Sequence, residues 1–183
     1  MYRVPENLPV PVDDGACDHL PGFTLPSVPL RSTSGKTVDL SRLPGRTVVY
    51  VYPRTGRPDQ PIPAGWDEIP GARGCTPQSC AFRDHHAELQ ALDARVFGLS
   101  TQDTAYQTEA VERLHLPFPL LSDADLAFGR ALNLPTFEVD DMGLLKRVTL
   151  IVRDGRVDYL FYPVFPPDQN AAKVIAWLSA HPT

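Results

Sequence analysis

The chain has 183 residues, of which 43% are hydrophobic, and it carries a formal net charge of −5. This length and composition suit one domain with a sizeable core. The acidic balance and the scattered Lys and Arg residues argue against a surface for nucleic acid or for an anionic membrane.

The N-terminal region shows no pattern that is typical of membrane insertion or secretion. No apolar run approaches the roughly eighteen residues of a membrane-spanning helix, and the start of the chain is acidic and proline-containing rather than apolar. We therefore expect a cytoplasmic protein that does not bind membranes. In a reducing cytosol, cysteines indicate catalytic or redox-sensing chemistry more readily than a disulfide framework.

The first part of the chain is predicted to be an arm. Residues 1–20 have little periodicity and should form an extended segment before a domain at 21–183. Cys17 lies in this arm among three aspartates, which disfavour a thiolate. We interpret Cys17 as a bystander, with an accessory resolving thiol as the alternative.

The first strands follow directly. Residues 23–30 and 36–40, with a turn at Ser34 and Gly35 between them, are predicted to form a short hairpin or a pair of edge strands. The apolar run within 46–52 predicts a fully buried central strand. That strand should lie at the centre of the sheet and lead toward the site.

A proline-rich and glycine-rich loop insertion is predicted at 53–73. It holds Pro53, Pro58, Pro61, Pro63 and Pro70 and follows the carboxyl end of the central strand, where α/β sheets place their sites. Trp66, within this loop, could form a lid over the site or could anchor the loop.

Two cysteines follow the loop at the start of a predicted helix. Thr76 is a good N-cap and Pro77 suits a first helical position, so a helix should run from 76 to about 93 with Cys75 at its N-terminus. Free backbone N–H groups there favour a thiolate over a thiol. Cys80 lies one turn further along and gains less. His85 and His86, in the same helix, are interpreted as structural.

The spacing of the two cysteines predicts a conformational step. Five residues on an ideal helix separate Cα atoms by about 9 Å, whereas a disulfide needs less than about 7 Å. A bond between Cys75 and Cys80 therefore requires the first turn to unwind. The alternative is that both are ordinary buried thiols; a zinc site is disfavoured because no second ligand pair follows.

The remaining pattern completes an α/β domain with a central mixed sheet flanked by helices. The predicted strands are 95–99, 118–121, 145–152 and 156–165, with a tight turn at 154–155. The predicted helices are 101–114, 124–132 with Asp123 as its cap, and 168–180, and the stretch from 133 to 143 is expected to be irregular. Arg147, among apolar neighbours, either reaches outward to water or faces an anion in the site.

A set of short motifs follows in order along the chain. They are Phe-Thr-Leu-Pro at 23–26, Val-Asp-Leu-Ser at 38–41, Val-Tyr-Val-Tyr-Pro at 49–53, Gly-Cys-Thr-Pro-Gln-Ser-Cys-Ala-Phe-Arg-Asp at 74–84, Gly-Leu-Ser-Thr at 98–101, Leu-Leu-Ser-Asp at 120–123 and Lys-Arg-Val-Thr-Leu-Ile-Val at 146–152. Together these motifs resemble those of a peroxiredoxin, most closely of the bacterioferritin-comigratory-protein type.

This resemblance implies a thioredoxin-like fold and a thiol peroxidase acting on hydrogen peroxide or organic hydroperoxides. It implies Cys75 as the peroxidatic cysteine, Cys80 as the resolving cysteine that pairs with it, and Arg147 as the residue that stabilises the thiolate and the transition state. The implied electron donor is a thioredoxin-type or glutaredoxin-type dithiol protein. We expect no cofactor and no metal. A monomer or weak homodimer is expected.

Two positions depart from the family pattern. The family keeps a proline and a threonine seven and three residues before the peroxidatic cysteine, where this chain has Glu68 and Ala72. The loop insertion leaves Pro53 and Thr55 as the candidate relocated equivalents. Two alternatives therefore stand beside the peroxidase: a disulfide oxidoreductase of thioredoxin fold, and a redox-sensing binding module, both with weak peroxide activity.

Overall fold

The computed structural model describes residues 3–183, so only Met1 and Tyr2 of the predicted arm lie outside the described residues. Its strands are β1 Pro29–Ser32, β2 Thr37–Asp39, β3 Arg46–Val51, β4 Ala94–Ser100, β5 Leu120–Ser122, β6 Thr136–Val139, β7 Met142–Leu145, β8 Val148–Arg153 and β9 Arg156–Phe161. Its helices are α1 Cys75–Asp84, α2 His86–Ala91, α3 Thr104–Leu114, α4 Ala127–Ala131 and α5 Asn170–Ala180.

Seven of the strands form one mixed sheet in the order β2-β1-β5-β4-β3-β8-β9. β3, β4 and β5 run parallel, and the remaining neighbours pair antiparallel. β3 is buried along its whole length, as the apolar run predicts. The mixed sheet with flanking helices and the thioredoxin-like architecture are confirmed.

Each face of the sheet supports its own apolar core, because side chains alternate along β3. Val48 and Tyr50 point to the face covered by α1, α2, α3 and α5. Val49 and Val51 point to the other face, which α4 and the N-terminal segment cover. Leu20 of that segment is fully buried, so the end of the predicted arm packs into the core.

The prediction of one continuous helix over 76–93 is wrong in two respects, because the helix starts one residue earlier and is divided into α1 and α2. It begins at Cys75, because Gln78 N–H already bonds to Gly74 O at 3.0 Å and Gly74, with φ of 109°, is the N-cap. It also breaks at His85, whose backbone leaves the helical region. The break separates α1, which packs on α5, from α2, which packs on β4.

The stretch predicted to be irregular holds a small separate hairpin, so that prediction is wrong. β6 and β7 pair antiparallel around Asp140 and Asp141, which both have positive φ, of 47° and 60°. Two such residues form the tight turn that matches the twist of a hairpin. Asp-Asp is a weak turn signal compared with Asn-Gly, and the polar–apolar alternation of β6 covers only the four residues Thr136–Val139.

Other boundaries shift by a few residues. β9 ends at Phe161 instead of reaching 165, since Pro163 has no N–H for the sheet ladder. The helix predicted at 124 begins at Ala127, yet Asp123 still accepts bonds from Phe128 N–H and Gly129 N–H, both at 2.8 Å. Among residues 3–183, no helix is long and apolar enough to cross a membrane.

Candidate active site

Cys75 occupies the first position of α1, beyond the carboxyl ends of the parallel strands. Its side chain is buried, at 3% exposure, and the thiol lies 3.6 Å from Ala72 O. Gly74 before it turns the chain sharply: a Cβ atom there would lie 2.8 Å from Pro167 Cγ. The helix can therefore start at Cys75 only because residue 74 has no side chain.

Arg147 faces the sulfur, so the outward orientation is excluded. β8 is antiparallel to β3 with Val148 opposite Val51, which places Arg147 at the edge where β3 ends. Its Nη2 lies 3.2 Å from Cys75 Sγ, and the side chain is 3% exposed. The guanidinium is held by backbone carbonyls of the preceding loop: it donates to Gly71 O at 3.2 and 3.3 Å, to Ala72 O at 3.1 Å and to Arg73 O at 3.4 Å.

A chain of buried polar side chains fixes Arg147 from behind. Arg147 Nη1 donates to Gln78 Oε1, and Gln78 Nε2 donates to Asn170 Oδ1 at 3.0 Å. Thr149 Oγ1 donates to the same Asn170 oxygen at 2.7 Å. Sequence reasoning missed these three residues. Only for Gln78 did the sequence contain a signal: it lies three residues after Cys75, and residues three apart on a helix share one face.

Cys80 is buried in the contact between α1 and the sheet. It is 7% exposed, and burial raises the pKa of its thiol. Next to it, Tyr50 O–H donates to Ser79 Oγ at 3.1 Å, and the Tyr50 ring stacks on Phe82 with 4.6 Å between centroids. Cys75 and Cys80 are both free thiols in this structure.

A cavity of about 360 Å³ opens onto Cys75. Its basic wall residues are Arg3, Arg54, Arg73 and Arg113. Its apolar wall includes Pro58, Ile62, Trp66 and Pro77. Trp66 is 4% exposed and packs 6.1 Å from the ring of Phe137, so it anchors the loop insertion while it forms part of the wall.

The two candidate relocated residues do not line this cavity. Thr55 is buried against Gln102: its Oγ1 and its N–H donate to Gln102 Oε1 at 3.1 and 3.0 Å. Pro53 lies beside Arg147 in a second cavity, of about 460 Å³. Of the described residues around the Cys75 cavity, Thr76 is the one with a side-chain hydroxyl.

The other residues that the sequence singled out, two histidines and one cysteine, contact neighbouring residues outside the site. The His85 ring bonds to Glu88 Oε1 at 2.7 Å, and His86 packs 5.7 Å from the Phe118 ring, where burial lowers its pKa. Cys17 is 3% exposed, and its pKa is raised to about 12, mainly by burial and to a smaller extent by the negative charge of the nearby aspartates. Across residues 3–183, no group of three or more His, Cys, Asp or Glu side chains could hold a metal ion.

Most of the chain is similar to known proteins. The Redoxin family model covers residues 18–175. Peroxiredoxin Q, chloroplastic, of Oryza sativa subsp. japonica is 32% identical over 162 residues, which cover 87% of this chain and 66% of that protein. The chain thus spans just under two thirds of the length of that relative.

Two further relatives are matched over more of their length. Peroxiredoxin Bcp of Bacillus subtilis (strain 168) is 30% identical over 141 residues, which cover 74% of this chain and 80% of that protein. The crystal structure of peroxidoxin BcpB from Mycobacterium tuberculosis superposes with a TM-score of 0.72 at 26% identity, covering 90% of this chain and 100% of that one.

Proposed function

Because the chain belongs to the Redoxin family, among the peroxiredoxins of the Bcp and Q type, we propose that it is a thiol-dependent peroxidase for hydrogen peroxide and organic hydroperoxides. One observation carries this proposal: Arg147 Nη2 lies 3.2 Å from Cys75 Sγ where α1 begins. A guanidinium at that distance can donate a charge-assisted hydrogen bond to the attacking sulfur and to the charge that develops on oxygen during the reaction. The names of the relatives favour a peroxidase over the disulfide oxidoreductase and the redox-sensing module.

The first step is a displacement at oxygen. The Cys75 thiolate attacks one peroxide oxygen, an S–O bond forms and the O–O bond breaks. The bonding electron pair leaves with the second oxygen, which takes up a proton and departs as water or alcohol. Arg147 and the unpaired N–H groups at the start of α1 donate to the developing charge. The sulfur ends as a sulfenic acid, oxidised by two electrons.

Thr76 supplies the hydroxyl group in this proposal. The family's threonine position is Ala72 here, and Thr55 is already bonded to Gln102. Thr76 lines the same cavity as Cys75. We assign to it the orientation of the peroxide oxygen that is not attacked.

The second step forms a disulfide between Cys75 and Cys80. The Cys80 sulfur attacks the sulfenic sulfur, an S–S bond forms, the S–O bond breaks and water leaves. On α1 the two Cα atoms are about 9 Å apart, so the first turn must unwind before a disulfide fits. Unwinding also removes the burial that raises the Cys80 pKa. An external dithiol protein of thioredoxin or glutaredoxin type then reduces the disulfide by exchange.

Stopped-flow fluorescence of Trp66 tests both steps. Reduced protein mixed with hydrogen peroxide should show a fast second-order phase and then a concentration-independent phase. Cys75→Ser should lose both phases, and Cys80→Ser should keep the first phase alone. Cys17→Ser is the matched control and should keep both, since Cys17 is not part of the site.

Two results would contradict the proposal. One is peroxide consumption by Cys75→Ser. The other is wild-type oxidation no faster than that of a free thiol such as N-acetylcysteine, which would favour the disulfide oxidoreductase. The cytoplasmic location and the monomer or weak homodimer stay predictions; sedimentation velocity of the reduced and oxidised forms tests the second.

A further inference from the structure

The cavity in front of Cys75 has a positively charged wall. Four arginines line it, and among the described residues that line it none is Asp or Glu. The whole chain, by contrast, carries a net charge of −5. The charged residues that line this cavity are thus all basic although the chain is acidic, and a low-dielectric wall strengthens the effect of such charges on an incoming anion.

The arginines differ in how their charge is used. Arg73 pairs with Asp67 at 2.9 Å, and Arg113 pairs with Glu109 at 2.6 Å. Arg54 instead donates to Met142 Sδ at 3.2 Å and lies 5.7 Å from the centre of the Tyr106 ring. Both of these residues line an adjacent cavity, and Arg54 lines that cavity as well as the one at Cys75. Within residues 3–183, no carboxylate lies in ion-pair distance of Arg54. Half-buried and fixed by uncharged neighbours, its charge is available to a ligand.

The rest of the wall suits an apolar body. Pro58, Ile62 and Trp66 form it, and Ile62 is 48% exposed, so its side chain is accessible to a ligand. A concave volume of about 360 Å³ falls at the small end of small-molecule sites. This shape favours a compact organic molecule over the flat face of a protein.

We propose that this cavity selects organic hydroperoxides that carry a carboxylate on a compact apolar body. Arg54 binds the carboxylate, the body packs on Trp66 and Ile62, and the peroxide group reaches Cys75. Arg54 is thus a specificity-determining residue contributed by the loop insertion. The inference rests on the proposed peroxidase function, and the reaction at sulfur is the displacement already described.

A matched pair of substrates tests it. The para-carboxylate derivative of cumene hydroperoxide and its methyl ester have the same peroxide and nearly the same body, and differ in charge. Single-turnover oxidation of reduced protein is followed by stopped flow without any reducing protein. Wild type should oxidise faster with the acid, and added salt should weaken that preference because it screens the charge.

Arg54→Gln should lower the ratio of the acid rate to the ester rate by about tenfold, as expected for the loss of one charged contact. Arg57→Gln is the control. Arg57 also lies 5.7 Å from the Tyr106 ring, but it pairs with Asp59 at 3.0 Å and does not line the Cys75 cavity. Its variant should keep the wild-type ratio.

The outcomes separate the two proposals. Failure of hydrogen peroxide to oxidise Cys75 rapidly would overturn the peroxidase itself. Rapid oxidation by hydrogen peroxide with equal rates for acid and ester would overturn the carboxylate site alone. An unchanged ratio in Arg54→Gln, together with slower turnover when a thioredoxin-type protein is the reductant, would also overturn it and would assign the arginines to docking of that protein.

Discussion

Arg147 is a buried guanidinium surrounded by uncharged partners. Backbone carbonyls, the amide oxygen of Gln78 and the sulfur of Cys75 accept its hydrogen bonds. In the described part of the chain, no carboxylate lies within ion-pair distance of it. A buried cation without a fixed anion is unfavourable unless a nearby group can become negative. The Cys75 sulfur is the group in contact that can do so.

Replacing Arg147 with methionine should slow the oxidation of Cys75 by hydrogen peroxide by about a hundredfold, the usual effect of removing one charge-stabilising donor. The second-order stopped-flow rate measures this. Arg153→Met is the matched control: Arg153 ends β8, the strand that Arg147 directly precedes, and it pairs with Asp158 at 3.2 Å, outside the site.

A purely structural role for Arg147 would give a different pattern. Methionine leaves three loop carbonyls without their donor, so some loss of thermal stability is expected as well. Arg147→Lys restores the charge without the forked donors. Partial recovery of the rate by Lys is expected, and recovery of stability without any recovery of the rate would contradict the assigned role.

At the scale of elements, the break at His85 separates the reactive helix from its neighbour. α1 carries both Cys75 and Cys80 and packs on α5, whereas α2 buries Leu89 against β4. His85 bonds to both helices, since its N–H donates to Ala81 O and its O accepts from Leu89 N–H, both at 3.1 Å, but its own backbone is not helical. Because the helical conformation is interrupted there, we expect unwinding of α1 not to spread into α2.

Hydrogen exchange should show this separation. In protein oxidised with one equivalent of peroxide, backbone amides of α1 should exchange faster than in reduced protein, and amides of α2 should be unchanged. Mass spectrometry of peptides from 75–84 and 86–91 measures it. Cys80→Ser treated in the same way should show no change in α1, and loss of protection in α2 of the wild type would contradict an independent α1.

The elements that could be predicted from the sequence are those with a signal in neighbouring residues. The buried β3, the turn at Ser34 and Gly35 and the helix at Cys75 all carry signals within a few residues. The hairpin of β6 and β7 lacked such a signal, because its turn is Asp-Asp.

The residues of the site could likewise be predicted only where the signal is local. The apolar neighbours of Arg147 reduced the possible orientations of its side chain to two. The contact between Gln78 and Asn170, by contrast, joins residues that are 92 positions apart in the sequence. No local pattern predicts such a contact. The roles of Pro53 and Thr55 depended on the path of the loop insertion, which only the folded chain defines.

At the scale of the whole molecule, the two cores enclose ionisable groups in their neutral forms. Burial raises the pKa of Cys17 and Cys80 and of the Tyr50 and Tyr52 hydroxyls. Each has its acidic proton held more tightly in the folded chain than in the unfolded chain. Their contribution to stability is therefore complete at neutral pH and is lost as the pH rises past the unfolded pKa.

The free energy of unfolding should fall in alkaline solution. For Cys17 the window opens at its ordinary pKa of 9.0 and closes at about 12. That thiol alone should contribute a loss of about 2 kcal/mol between about pH 7 and about pH 10.5. Urea denaturation under reducing conditions measures it, and Cys17→Ala should show a shallower decline. Equal slopes for both proteins would contradict burial of the thiol in its neutral form.

The turn at Gly74 ties two distant parts of the sequence to one another. A side chain at this position would meet Pro167, which precedes α5 and its Asn170, the partner of Gln78. Substitution would thus disturb the cysteine and the support of its arginine at once. We therefore expect selection to keep residue 74 as glycine and to let the segments around 75 and 167 change only in step with one another.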